Sequence, residues 1–491
     1  MHQTNEIDKN ILMKYDVIII GGGLGGLTAG AKLAKEGRRI LLVEQHDRPG
    51  GCASTFKRKD FIMEVGLHEM DGLDSRDMKT RIFRDLGVFD EVSFLKVPEF
   101  YRFVNGRYDF VMSHDPEQAT AALIEIFPSE EKGIRTYFER ILNARKIIKE
   151  SAGEPERNVG EYLDSIINDE DLKLILLGNL GYFHDDPYTL SLNYYSVAQG
   201  SYFSGGGNYI QGGSQVLSNF LSDSIKKNGG KVLLKHLVTD ILMDGEQVTG
   251  IEYQAAGNKD LSTIKAFGNE IILNASIPSL LSFNLPASYL ETLKNELSVR
   301  RVGASLLTVY FGFNKSLTEI NSENYSYFLY DHSVQGQSDI KNNNCGAFEQ
   351  RSFTFVDYSQ VDSRLAPEGK SVGAVCCIDY PDQWEGFSKE EYRQKKEEVA
   401  QIFMDKLEAL LPGFRDAVEY YEVGTSLTVE RYTLNPKGAV YGFAQSPERV
   451  VMDEIPSLPN LHFASAWSKI GGGFSGAIYN GYLCAIKILR G

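Results

Sequence analysis

A run of glycines set between two apolar strands constrains this chain more than any other feature. Asp16–Ile20 is β-branched and of strand length. Gly21-Gly22-Gly23-Leu24-Gly25-Gly26 follows at once and satisfies G-x-G-x-x-G at Gly21, Gly23 and Gly26. Leu24, Leu27, Ala31 and Leu33 then recur at helical spacing, and Arg39–Val43 reads as a second strand ending at Glu44. Each part has a physical task. Gly21 permits a sharp turn, Gly23 leaves room for a pyrophosphate to approach the backbone, and Gly26 lets helix and sheet pack closely. The free N–H groups and dipole of the helix start hold phosphate. Glu44 stands where an acid accepts hydrogen bonds from an adenosine ribose.

With 491 residues, 42% of them apolar, the chain can build cores for two interleaved domains. A net charge of −15 repels phosphate backbones and argues against nucleic acid as a partner. No stretch of about 18 apolar residues occurs, so no spanning helix is expected. Residues 1–12 carry no secretory signature and read as an N-terminal extension. Cys52, Cys345, Cys376, Cys377 and Cys484 show no CxxC spacing. Neither a metal site nor a dithiol centre is expected, and a reducing cytoplasmic setting fits.

Further segments extend the glycine unit. Past Glu44 and Gln45, Arg48-Pro-Gly50-Gly51-Cys52 sets a glycine pair beyond the second strand, and Phe61-Ile-Met-Glu64-Val-Gly66-Leu-His68 follows. Tyr209-Ile-Gln-Gly212-Gly213 leads into a helix and then four strands, at 229–234, 238–243, 250–253 and 270–274, the last running into Asn274-Ala275-Ser276. Glu430-Arg431-Tyr-Thr-Leu-Asn435-Pro-Lys-Gly438-Ala-Val-Tyr441-Gly442 is a long and particular run. Asn460–Trp467, with Ala466, reads as a strand into a loop, and Gly471-Gly472-Gly473-Phe474-Ser475-Gly476 opens a small-residue helix.

These motifs resemble those of the FAD-dependent phytoene desaturase, carotenoid isomerase and retinol saturase family, within the amine-oxidase-like flavoproteins. The R-Y-T-x-N-P-x-G-A-x-Y-G run points to the isomerase and saturase branch. Two departures stand out: Cys52 where amine oxidases often have Arg, and Ile470 where Pro often precedes the triple glycine. The resemblance implies an α/β fold. Its Rossmann-like FAD-binding domain, of the glutathione-reductase/amine-oxidase type, is drawn from 13–75, 205–290 and 420–491. An interleaved α+β substrate domain takes 76–204 and 291–419. It implies bound FAD, contacted by Gly21, Gly23, Leu24, Gly25, Gly26, Glu44, Gln45, Arg48, Gly50, Gly51 and Cys52. Val238 is expected to pair its backbone with adenine. Asn274, Ala275, Ala466, Gly472, Gly473, Phe474 and Ser475 are expected to complete the contacts, the last helix stabilising negative charge on the flavin pyrimidine.

The resemblance also implies chemistry on the C=C bonds of a long apolar polyene such as a carotenoid or retinoid, by desaturation, saturation or cis–trans isomerisation. A flavin amine oxidase and a lipid-binding flavoprotein with structural FAD are the alternatives. Tyr182, Phe183, Tyr188, Tyr194, Tyr195, Tyr202, Phe203 and Tyr209 crowd one segment, as core or as the wall of an apolar tunnel. His68, Glu69, Tyr441 and Lys469 are the candidates for moving protons, each with a structural reading beside it. Loose contact with a membrane surface is expected, with Leu172–Tyr182 as the mouth. One dinucleotide unit is evident, so an external electron donor or acceptor is expected. Outside the site, Ser388 and Glu391 form a capping box that opens a helix ended by Pro412-Gly413, and 130–148 reads as one helix.

Overall fold

Five parallel strands make the floor on which the site is built. The computed structural model describes residues 14–257, 262–449, 458 and 460–491, and the extension expected over 1–12 lies outside them. Strand Lys14–Ile20 lies between Ile40–Val43 and Ile264–Leu273, flanked in turn by Lys231–Leu233 and Leu461–Phe463, all parallel. Val17–Ile20 and Ile40–Val43 are buried throughout, which is why they read as continuous apolar runs and not as alternation. The antiparallel strands His236–Asp244 and Gln247–Ala255 join the sheet through the first half of Ile264–Leu273. The α/β class is therefore as expected.

Parallel neighbours need a crossover, and helix Leu24–Lys35 supplies the first. It packs against helices Ser214–Lys227 and Gly473–Arg490. The approach is close enough to demand glycine. A Cβ on Gly481 would sit 2.1 Å from the Gly25 carbonyl oxygen, and one on Gly25 would sit 1.9 Å from that of Ala464.

A second, seven-stranded sheet runs Val418–Gly424, Ser305–Phe313, Ser371–Asp379, Phe353–Asp357, Ser326–Leu329, Tyr101–Val104, Asp109–Met112. Only the pairing of Ser326–Leu329 with Tyr101–Val104 is parallel. The break expected at residue 420 falls inside the first of these strands. Helix Lys389–Leu410 covers this sheet and begins with the expected capping box: Ser388 N–H donates to the Glu391 carboxylate at 2.7 Å and Glu391 N–H to Ser388 Oγ at 3.3 Å. The helix expected over 130–148 is two, Glu131–Leu142 and Ala144–Glu150, because Asn143 leaves helical geometry at φ −105°, ψ 16°.

Helices between residues 116 and 205 form a third layer with its own core. Leu172, Leu174, Ile175, Leu176 and Leu177 are all within 0–1% exposure in that core. Residues 172–177 of the stretch expected as a mouth, Leu172–Tyr182, are thus spent on packing helices together, while Gly181 and Tyr182 at its end stay partly exposed. A small sheet, Met70–Asp71 with Gly207–Ile210 and Phe94–Lys96, ties this layer to the parallel one.

Candidate active site

The glycine turn is held open from behind. Gly21 adopts φ +97°, a conformation that side chains resist, and its N–H donates to the Val43 carbonyl. The buried Glu44 carboxylate accepts the Gly22 N–H at 2.6 Å and the His46 N–H at 2.8 Å, fixing the turn to the end of the second strand. Asn274 braces the other side, its Nδ2 donating to the carbonyls of Gly21 at 3.1 Å and Gly23 at 3.3 Å. Gly26 packs inward, where a Cβ would meet the Gly21 carbonyl oxygen at 2.4 Å. Gly50 and Gly51 take φ of +126° and +58°, and Gly50 bridges to Gly23, bringing the two glycine turns together. Arg48 donates to the Thr55 carbonyl and pairs with Asp47. Burial pushes the Cys52 thiol up to about 11, so it stays protonated near neutrality.

The closing motif is assembled by its polar residues. Asn480 donates to the carbonyls of Ser465 and Gly471, each at 3.1 Å, and accepts the Ile470 N–H at 3.1 Å. Trp467 Nε1 donates to Asn435 Oδ1 at 3.1 Å, while Asn435 Nδ2 donates to the Ala439 carbonyl at 2.9 Å. The Asn-Pro-x-Gly run is thus a tight loop, with Lys437 and Gly438 both at positive φ, locked to the Ser-Ala-Trp strand end. Glu64, in the Phe-x-x-Glu segment, is a buried anchor: it accepts from Ser214 N at 2.8 Å, Ser214 Oγ at 2.6 Å and Leu67 N at 3.3 Å. Burial raises its pKa against these bonds.

All these walls face one cavity of about 1890 Å³. It is lined by every residue expected to contact the cofactor except Gly26, which serves packing instead. Of the aromatic segment, Tyr182, Phe183, Tyr194 and Tyr202 line it, while Tyr195 and Tyr209 are core residues. Among the proton candidates, His68 lines the wall with Nδ1 3.1 Å from the Tyr182 hydroxyl, and burial pushes its pKa down to about 4, so the ring is neutral. Glu69 is buried with no hydrogen-bond partner on either oxygen, and burial followed by the nearby Glu99 and Asp71 raises its pKa well above the ordinary value. The Tyr441 phenol is raised by burial; its ring stands by Gly473 and its backbone packs on Gly472. Lys469 lines the cavity but is solvent-exposed.

Sequence reasoning missed the walls contributed by the second sheet, Thr308, Tyr310 and Cys376, and by Trp384 in the turn that follows strand Ser371–Asp379. It also missed Asp71, which accepts from Ser475 Oγ in the first turn of the closing helix and pairs with the fully buried Lys79 at 3.0 Å. Thr308 and Cys376 sit opposite each other on neighbouring strands, a pairing no local pattern signals.

A model of the flavin-containing amine oxidoreductases matches residues 24–489. The chain belongs to that family. Among curated relatives of this flavin oxidoreductase, the all-trans-retinol 13,14-reductase of Danio rerio is 23% identical over 97% of the chain and 86% of that protein. Prolycopene isomerase 2, chloroplastic, of an Oncidium hybrid cultivar is 25% identical over 97% and 84%. Solved structures share the fold: an oxidoreductase from Methanosarcina mazei superposes with a TM-score of 0.64 at 15% identity over 97% of this chain and all of that one. Putrescine oxidase bound to putrescine gives 0.64 at 15% over 98% and 100%.

The residues fit the flavin that the family carries. At Gly23 a Cβ would meet only Asn274 Nδ2 within 4 Å, at Gly51 only the Gly23 Cα, and at Gly473 only the Tyr441 ring. The remaining space at these glycines opens on the cavity. Helices Leu24–Lys35 and Gly473–Arg490 both start without a side-chain cap or an acid in the first turn. Their first N–H groups are left for an anion or an electron-rich ring.

Proposed function

We propose that this chain is an FAD-dependent oxidoreductase acting on C=C bonds of a long apolar polyene, of the carotenoid or retinoid class. The cavity carries the reading. At about 1890 Å³ it exceeds the roughly 300–1,000 Å³ of ordinary ligand pockets. It has room for a dinucleotide and a second large occupant. Past the glycine turns it runs along Glu44 to Val238 and Phe283, which suits an adenosine. A bulge after Val238 interrupts its strand pairing and frees backbone groups on that side. In the other direction the wall becomes aromatic, with Tyr182, Tyr202, Phe328 and Tyr330. Such a wall suits a chain with few polar handles. The names of the relatives, a retinol reductase and a prolycopene isomerase, agree with it.

When bound, the flavin exchanges an electron pair and a hydrogen with one carbon of the substrate, while the protein handles protons. Gly23 and Gly51 would leave room for the pyrophosphate, and the start of the closing helix would hold the pyrimidine. His68 and Tyr182 position each other, and Glu69 and Tyr441 are neutral groups able to hold a proton in the wall. Lys469 stands at the solvent side. Electrons reach or leave the site through an external donor or acceptor. The exposed apolar residues on the cavity wall are Phe387, Tyr432 and Leu434. We place the loose membrane contact, through which a polyene enters, at this rim.

Anaerobic titration tests the reading. Flavin-loaded protein, oxidised or reduced, is mixed with a polyene or with an amine. A spectral change of the flavin with the polyene alone supports the proposal, and one with the amine alone overturns it. Gly23→Val should abolish flavin retention.

A further inference from the structure

One buried group in this site lacks any structural account. Glu69 is 7% exposed, and neither carboxyl oxygen has a hydrogen-bond partner. An orphaned buried carboxyl is costly, and native structures keep few of them without a task. The fold makes room for this one. Gly207, on the neighbouring strand, is the residue whose Cβ would stand 2.0 Å from Glu69 Oε2 and 2.6 Å from Val97 Cγ2. Residue 69 also lines the cavity, immediately after His68 and before the Met70–Asp71 strand, with both carboxyl oxygens occluded just behind the wall.

The charged and titratable groups around it agree on its state. Glu99 and Asp71 both repel a charge there. The buried Lys79 is already engaged by Asp71 and Asp77, and Lys96 Nζ donates to the Gly205 carbonyl. Tyr182, Tyr202 and Tyr325 all feel the Glu69 charge, and all three phenols are raised by burial first. His68, neutral by burial, offers no charge to hold it as carboxylate. The group is therefore an acid, not a base.

We infer that Glu69 is a proton donor to the polyene, so that the site is set for saturation of a C=C bond and not for its desaturation. The inference rests on the polyene reading and gives it a direction. In the step, the substrate π bond is lost. One carbon receives an electron pair and a hydrogen from flavin reduced beforehand by an external two-electron donor. The Glu69 O–H bond breaks and its proton forms a C–H bond on the adjacent carbon. The carboxylate left behind regains a proton from solvent. Desaturation would need a group able to accept a proton, which a carboxyl neutral at the start is not.

Two measurements test this. The first needs no substrate: infrared difference spectra of flavin-loaded wild type against Glu69→Gln at pH 7 should show a protonated-carboxyl band that the variant lacks. Its absence overturns the assignment. The second mixes photoreduced enzyme anaerobically with all-trans-retinol or prolycopene in D₂O. Wild type should reoxidise its flavin and yield a saturated product with deuterium at both new C–H positions, because the hydrogen that reduced flavin transfers exchanges with solvent as the acid proton does. Glu69→Gln should retain full flavin occupancy but reoxidise about 100- to 10,000-fold more slowly, the usual span for a general acid. Gly207→Ala, which displaces the carboxyl without removing it, should slow the same step. Equal rates in wild type and Glu69→Gln overturn the role of Glu69 while leaving the polyene reading intact. Polyene reducing the oxidised flavin overturns the direction. Isomerised polyene with no flavin reoxidation overturns the inference alone, and neither flavin response nor isomerisation with either polyene overturns the polyene reading and the inference with it.

Discussion

Asn274→Ala would remove two of the bonds that hold the glycine turn to the central sheet, those on the side of strand Ile264–Leu273. Asn274 Nδ2 donates to Gly21 O at 3.1 Å and Gly23 O at 3.3 Å, linking the end of strand Ile264–Leu273 to the loop beside the first helix. Each such bond contributes about 0.5–1.5 kcal/mol net, so the pair is worth about 1–3 kcal/mol. Without it, a loop of glycines with few conformational restraints samples many shapes, and the cofactor must order it on binding. At about 1.4 kcal/mol per factor of ten, the loss should weaken flavin affinity roughly 5- to 150-fold. The assay is titration of apo-protein with FAD, followed by quenching of flavin fluorescence, alongside urea denaturation of the apo form. An unchanged Kd, with the whole loss appearing as lower apo stability, would refute the view that Asn274 preorganises the turn for its ligand.

Asp185 is buried against Lys341, Tyr380 and Arg301, and although burial opposes its charge, His184 and these partners hold its pKa at about 2. A depressed carboxylate stabilises the fold above its unfolded pKa and loses that contribution as pH falls through about 4 toward 2. Asp185→Asn should therefore cost about 2 kcal/mol at pH 7, with the gap to wild type closing below pH 4, as read by denaturation across pH. Lys79→Met would leave Asp71 and Asp77 uncompensated in the interior and should cost about 3–5 kcal/mol, measured the same way. Ser388→Ala should cost about 1 kcal/mol through the lost cap of helix Lys389–Leu410, with flavin binding unchanged. Phe387→Glu should reduce flotation with neutral liposomes and leave flavin content intact, because it alters only the exposed rim.

The cofactor cradle was legible because its demands fall on the backbone. Gly21 needs positive φ, Gly25 and Gly481 need the absence of a Cβ, and only one residue type answers either need. Such positions survive as letters in the chain. The substrate arm was not legible for the opposite reason. A tyrosine facing a cavity and one facing a core share the same chemistry, so Tyr202 and Tyr195 differ only in where their helix presents them. The same ambiguity hid the role of Leu172–Leu177, whose apolar run suits a membrane mouth and a packed core equally. Thr308 and Cys376 reach the wall through strand pairing between distant segments, which no single stretch reveals. The Asn435 loop was recognisable as a string, but its reason, the indole of Trp467, lies in another segment.

The close crossing of Gly25 by Gly481 sets a timetable for synthesis. The first glycine turn leaves the ribosome before the strand and helix that complete its cavity, which follow more than 400 residues later. At about 5–20 residues per second, that is a wait of roughly 20–80 s. Through that interval strand Ile264–Leu273 lacks its parallel neighbour Leu461–Phe463, leaving backbone groups open to wrong partners. A nascent chain in this state has the first glycine turn without the closing helix, so the cavity is completed only once that later segment has been made.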